Sequence, residues 1–164
     1  MNDMKQAFSE HEFRHFNIAI DTALAAEKDG NLPIGCVIAL DDKVIAVGAN
    51  STLKPNYHPG RHAEMEALRR VPIDLWRRAK EMTCYTTMEP CTMCFGALLI
   101  HRIGRIVFGA YDKQGGASCL VPALPKYTID HIGLPELIGP VSSEICDELC
   151  VRTFQILTKN QFRI

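Results

Sequence analysis

The chain has 164 residues, 47% of them hydrophobic and 23% charged, which predicts one soluble globular domain over residues 1–164 with room for a core. Its formal net charge of -1 gives no global basic field that would demand a nucleic-acid partner. Every apolar run falls short of the roughly 18 residues of a membrane span, and residues 1–9 carry no apolar signal core, so a cytoplasmic protein with no membrane partner is expected.

Ser9-Glu10-His11-Glu12 reads as a capping box, and the helix it opens carries Phe13, Phe16, Ile20 and Leu24 on one side before stopping at Gly30. This helix is expected to cover a sheet. After a loop at Asn31-Leu32-Pro33, residues 35–40 and 44–48 predict two strands joined at Asp41-Asp42-Lys43 as a hairpin, with Asn50 just beyond the second. A loop over 51–60 leads to His62-Ala63-Glu64, which opens a helix that buries Met65 and Leu68 and ends before Pro72. A polar helical piece over 74–81 follows, anchored by Trp76, and 82–87 form a third strand. That strand delivers the chain to Pro90-Cys91-Thr92-Met93-Cys94, the start of a helix running to Ile100, and 105–109 make a fourth strand. Residues 113–140 are rich in Gly and Pro, with a short strand expected at 127–132. Ser143 is then read as the cap of a last helix with Ile145, Leu149, Ile156 and Leu157 on one face. Strands alternating with helices imply a three-layer α/β/α sandwich around a central mixed sheet.

Two of these helix starts carry the chemistry. Cys91 and Cys94 are three residues apart, so both sulfurs reach one ion from one helix face, and His62 supplies a third ligand. Three protein ligands leave a tetrahedral position open, as in a catalytic zinc, whereas structural zinc is closed by a fourth. A helix N-terminus favours the thiolate form that zinc needs, and Pro90 suits a first turn. Two thiolates cancel the charge of the ion, so a nearby carboxylate must accept a proton from water. Glu64, two residues from His62, is placed for that work. The competing readings of Cys91-x-x-Cys94, a redox pair or half of a zinc knuckle, do not use the upstream His62 and Glu64. Seven cysteines without a secretion signal argue for reduced thiols; Cys36, Cys84, Cys146 and Cys150 read as core residues, and Cys119 has no assigned place.

His62-x-Glu64 followed by Pro90-Cys91-x-x-Cys94 resembles the cytidine deaminase-like superfamily of zinc deaminases. Pro33-Ile34-Gly35, Asn50, Thr86-Thr87-Met88-Glu89-Pro90 and Val107-Phe108-Gly109-Ala110-Tyr111-Asp112 are similar to the branch of tRNA adenosine deaminases and bacterial guanine deaminases. The resemblance covers roughly residues 10–157 and implies the same fold, a Zn2+ cofactor and hydrolytic deamination of a ring carbon bearing an exocyclic amine. Glu64 would carry the protons to the ring nitrogen and the departing amine. Asn50, whose amide offers both donor and acceptor, matches a substrate-contacting Asn of the family, with a turn residue as its competing reading. Glu89 reads as structural, and His58 and His101 as loop or surface residues.

The substrate is expected to be a small molecule, a free nucleobase, nucleoside or related aminated heterocycle of purine type, with the wobble adenosine of tRNA as runner-up. Bacterial tRNA enzymes place Asp-Pro-Thr-Ala before the metal His, and here His58-Pro59-Gly60-Arg61 stands there, adding a bulky cation beside the pocket. Relatives form dimers, so the resemblance implies a homodimer. Outside catalysis, a zinc-stabilised partner subunit or a nucleic-acid module with zinc only for folding stays open.

Overall fold

The computed structural model describes residues 9–141 and 144–159. Ser9 caps helix α1 (Glu10–Lys28) by the expected box: its hydroxyl accepts from the Glu12 N–H while its own N–H donates to the Glu12 carboxylate. The buried line of α1 is His15, Phe16, Ala19, Ile20, Ala23 and Ala26, and Leu24 lies outside it at 38% exposure. Small side chains are required there because the helix presses on the sheet at Gly35, where a Cβ would stand 2.1 Å from the Ala19 carbonyl oxygen.

Strands β1 (Gly35–Leu40) and β2 (Lys43–Ala49) form the predicted hairpin, turned by Asp41 and Asp42 at φ 49° and 59°. Next come α2 (Ala63–Leu68), a 3-10 helix over Ile73–Glu81, β3 (Thr83–Met88), α3 (Thr92–Ile100) and β4 (Arg105–Ala110). Trp76 anchors the 3-10 segment, packed against the core and against the His101 ring. The expected strand at 127–132 is a helical turn, Thr128–Ile132. The Pro125 carbonyl accepts the Thr128 and Ile129 N–H groups, and Lys126 pairs with Asp130 one turn on, so this stretch closes on itself. The fifth strand, β5 (Glu136–Ile138), lies further along, beside β4. Helix α4 (Glu144–Lys159) ends the described chain and buries Cys146, Leu149 and Thr153, while the predicted cap Ser143 lies outside the described residues.

The sheet runs β2-β1-β3-β4-β5, antiparallel across β2, β1 and β3 and parallel across β3, β4 and β5. Alternation divides each central strand between two cores. Cys36, Ile38, Cys84 and Ile106 face α2 and α3, whereas Val37, Ala39, Tyr85 and Val107 face α1 and α4. The result is the expected three-layer α/β/α sandwich with a mixed sheet. No helix among the described residues is long and apolar enough to cross a membrane.

Candidate active site

The ends of β2, β3 and β4 meet the starts of α2 and α3 at one edge of the sheet, the position where open α/β sheets place their sites. Helix α2 is seated by Gly48 of β2, where a Cβ would fall 2.0 Å from the Ala63 carbonyl oxygen. His62 is the N-cap of α2 and Cys91 the N-cap of α3, and neither side chain caps its own helix. His62 Nδ1 instead lies 3.5 Å from Cys91 Sγ and 3.5 Å from Cys94 Sγ. The three ligand atoms sit within 4.8 Å of one another, and among the described residues no fourth His, Cys, Asp or Glu joins them. Two sulfurs and an imidazole with an open position suit zinc.

Protonation follows from the packing. Hydrogen bonds from the Cys94 thiol and from His62 outweigh burial and hold the Cys91 thiol down at about 4. Cys94 is pushed up by the same shared bond and by burial, and His62 is raised by its bond to Cys91. The shared bonds thus favour the thiolate form of Cys91 and the protonated forms of Cys94 and His62.

Glu64 is 4% exposed, and its carboxyl group is in hydrogen-bonding contact with Cys94. Burial raises its pKa, and the Cys91 thiolate adds to the shift. Thr86 Oγ1 donates to Glu64 Oε1 at 3.2 Å, a contact that the sequence motif does not announce. Strand alternation is the signal that would have found it, since Thr86 shares a sheet face with Cys84 and pairs with Cys36.

Asn50 is 1% exposed, and its two amide ends differ. Oδ1 accepts from the Thr52 N–H at 3.1 Å, which is the turn role, while Nδ2 is buried with no partner among the described residues. The following segment is tied to the metal helix, because Ser51 N–H donates to the carbonyl of Arg61, the residue before His62.

Glu89 is structural, as expected. It accepts from the Asp112 N–H, the Ser118 N–H and the Ser118 hydroxyl, and so clamps the segment after β4 against the start of α3. Arg61, expected as a cation beside the pocket, bonds Glu66 through Nε and Nη2. Glu66, which the motifs did not single out, is 1% exposed and also pairs with Arg69 and Arg70. Its spacing of three and four residues from those arginines on a helix was the readable signal. Cys36 and Cys84 are core residues facing each other, the His58 and His101 rings bond local backbone, and Cys119 is exposed.

Comparison with known proteins agrees with this geometry. The model of the cytidine and deoxycytidylate deaminase zinc-binding region matches residues 9–110. The tRNA-specific adenosine deaminase of Bacillus subtilis (strain 168) is 33% identical over 146 residues, covering 87% of this chain and 88% of that one. Its counterpart in Haemophilus influenzae is 34% identical over 156 residues, covering 93% and 88%. Among solved structures, one from work on A-to-I editing by tRNA:A34 deaminases superposes with a TM-score of 0.72 at 31% identity, over 84% of this chain and 99% of that chain. Guanine deaminase from Bacillus subtilis follows with a TM-score of 0.54 at 30% identity, over 63% and 66%. The chain belongs to the cytidine and deoxycytidylate deaminase zinc-binding family, and it is a zinc-dependent hydrolytic deaminase acting on C–N bonds.

Proposed function

We propose that this enzyme converts the exocyclic amine of a purine-type nucleobase or nucleoside to a carbonyl, with release of ammonia. The observation that carries the reading is a buried carboxylate, Glu64, against a cluster of three metal donors that no fourth joins among the described residues. His62, Cys91 and Cys94 would hold the zinc, which supplies Lewis acidity and makes water a nucleophile near neutral pH. Glu64 would accept one proton from the attacking water and give it to the ring nitrogen, then take the second proton from the hydroxyl of the tetrahedral adduct and give it to the amine, which leaves as ammonia while the carbonyl forms. Its raised pKa suits both halves of that task, because a proton gained is held long enough to be given up again. Asn50 offers its unpartnered Nδ2 to an acceptor on the ring edge.

The small substrate is supported by charge. The net charge is -1, and the cation next to the site, Arg61, is held by Glu66 and is withdrawn from any phosphate. Seven free cysteines support a reducing, cytoplasmic setting. Exposed Met93 and Ile100 on α3 support self-association as a homodimer beside the zinc helices. A second reading, wobble adenosine in tRNA, is favoured by the near full-length likeness to tRNA-specific adenosine deaminases and by three arginines around the single carboxylate of Glu66.

Ammonia release from guanine, adenine, their nucleosides and an anticodon stem-loop, with Glu64→Ala as control, tests both. Free-base or nucleoside turnover without salt-dependent hairpin binding supports the first reading. Deamination confined to the hairpin, with affinity falling steeply as salt rises, replaces it by the second. Undiminished turnover in Glu64→Ala would refute the role of that residue in either case.

A further inference from the structure

We infer that Thr86 is the positioning residue of the Glu64 carboxylate, fixing one oxygen so that the other is presented for proton exchange. The inference rests on the reading of Glu64 as the proton-handling group. Thr86 is fully buried in β3, paired with Cys36 of β1 on one side and Phe108 of β4 on the other, so its backbone is held from both flanks. A β-branched side chain on such a strand is stiff at χ1, and its hydroxyl direction is therefore set by the sheet. That hydroxyl donates to Glu64 Oε1 at 3.2 Å. The other polar side chains of this sheet face, Cys36 and Cys84, are turned toward each other at 3.4 Å, which leaves Thr86 as the strand donor to Glu64.

Glu64 needs such a partner. It stands at the second position of a six-residue helix, on a side chain with three rotatable bonds, and a carboxylate free to rotate would offer either oxygen to the substrate. With Oε1 tied to the strand by Thr86, and Cys94 as the carboxyl group's contact on the metal side, Oε2 would be the oxygen that takes and returns the proton. A misplacement of 1 Å at a reacting group costs on the order of 10²-fold in rate, so one orienting bond from a rigid strand matters to turnover more than to affinity.

Thr86→Val keeps the shape of the side chain and removes the hydroxyl, and Thr86→Ser keeps the hydroxyl on a looser stem. Ammonia release is measured with guanine or adenosine, whichever the wild type turns over faster, and normalised to bound zinc. The expected result is a kcat lower by about tenfold in Thr86→Val, with KM within about twofold and most of the rate restored in Thr86→Ser. A Thr86→Val kcat within about twofold of wild type, or a Thr86→Ser no faster than Thr86→Val, overturns the inference. An infrared measurement stands apart from turnover and from any loss of stability. The carboxyl band assigned to Glu64 by difference against Glu64→Gln should move in Thr86→Val and return in Thr86→Ser, and an unmoved band also overturns it. An active Glu64→Gln removes the reading of Glu64 itself, whereas an inactive Glu64→Gln beside a fully active Thr86→Val removes only the role of Thr86.

Discussion

Arg61 holds Glu66 in a two-pronged pair, Nε to Oε1 at 3.1 Å and Nη2 to Oε2 at 3.3 Å, and so ties the residue before His62 to the buried side of α2. Arg69 and Arg70 reach the same carboxylate at 2.9 and 3.3 Å. Breaking a fully buried pair costs roughly 3–5 kcal/mol. Here the arginines are 33% to 64% exposed and water takes up part of the loss. Glu66→Gln is therefore expected to lower the unfolding free energy by about 2 kcal/mol in chemical denaturation. A change under about 0.5 kcal/mol would show that the network is a solvated surface feature.

Zinc must displace protons from this site. Cys91, held at about 4, is a thiolate at neutral pH, while Cys94 and His62 are both shifted toward their protonated forms. Metal binding needs all three deprotonated, so affinity falls as pH falls and rises as the two retained protons become easier to remove. Titration calorimetry at pH 6 in buffers of different ionisation enthalpy should give about two protons released per zinc. A count near zero would mean that the cluster is already stripped.

The three-donor cluster was legible in the sequence because its ligands lie in two contiguous motifs, and the layers were legible because apolar alternation marks each strand. Three features were not. The turn at Thr128–Ile132 reads as a strand by composition, since Tyr127, Thr128, Ile129 and Ile132 are strand formers, yet its hydrogen bonds close locally onto Pro125. Leu24 fits the helical period of α1 but lies off the line that must meet Gly35, where only small residues allow the approach. Thr86 reaches Glu64 across the boundary between strand and helix, a contact that only the packed layers bring about, whereas the pairing of Glu66 with Arg69 and Arg70 follows local spacing. Local pattern reports a contact when both partners share one element, and is silent when tertiary packing joins them.

Acid stability should report the pair Glu12–Arg105, which joins the start of α1 to β4. Burial pushes the Glu12 carboxyl up, but hydrogen bonds from Arg105 and Ser9 outweigh it and leave it at about 2. A folded value below the unfolded one contributes stability above about pH 4.5 that is lost as pH falls toward about 2. Glu12→Gln is thus expected to cost about 2 kcal/mol at pH 7, less than full linkage because Arg105 is 26% exposed. The gap between variant and wild type should close as the pH of the denaturation series approaches 2. A gap independent of pH would assign the loss to packing.

Burial also sets the acid limb of catalysis. On the proposed reading Glu64 must be ionised to accept a proton, and burial holds its pKa above the usual carboxylate range. The kcat/KM of the zinc enzyme should therefore fall with decreasing pH through a midpoint above that of an ordinary glutamate. A profile flat down to pH 4 would assign the proton transfer to another group.

The two ends of the Asn50 amide allow its roles to be separated. Oδ1 is engaged by the Thr52 N–H and serves the turn, while the buried Nδ2 has no partner among the described residues and, on the proposed reading, would serve the substrate. An unpaired buried donor costs about 1–3 kcal/mol, a cost that a ring acceptor would remove on binding. Asn50→Asp keeps an acceptor for Thr52 and replaces the donor, whereas Asn50→Ala loses both. Both variants should lose at least about tenfold in kcat/KM, while Asn50→Asp melts higher than Asn50→Ala because its turn survives. If Asn50→Asp keeps full activity, the amide N–H plays no part in reading the base and Asn50 is a turn residue alone.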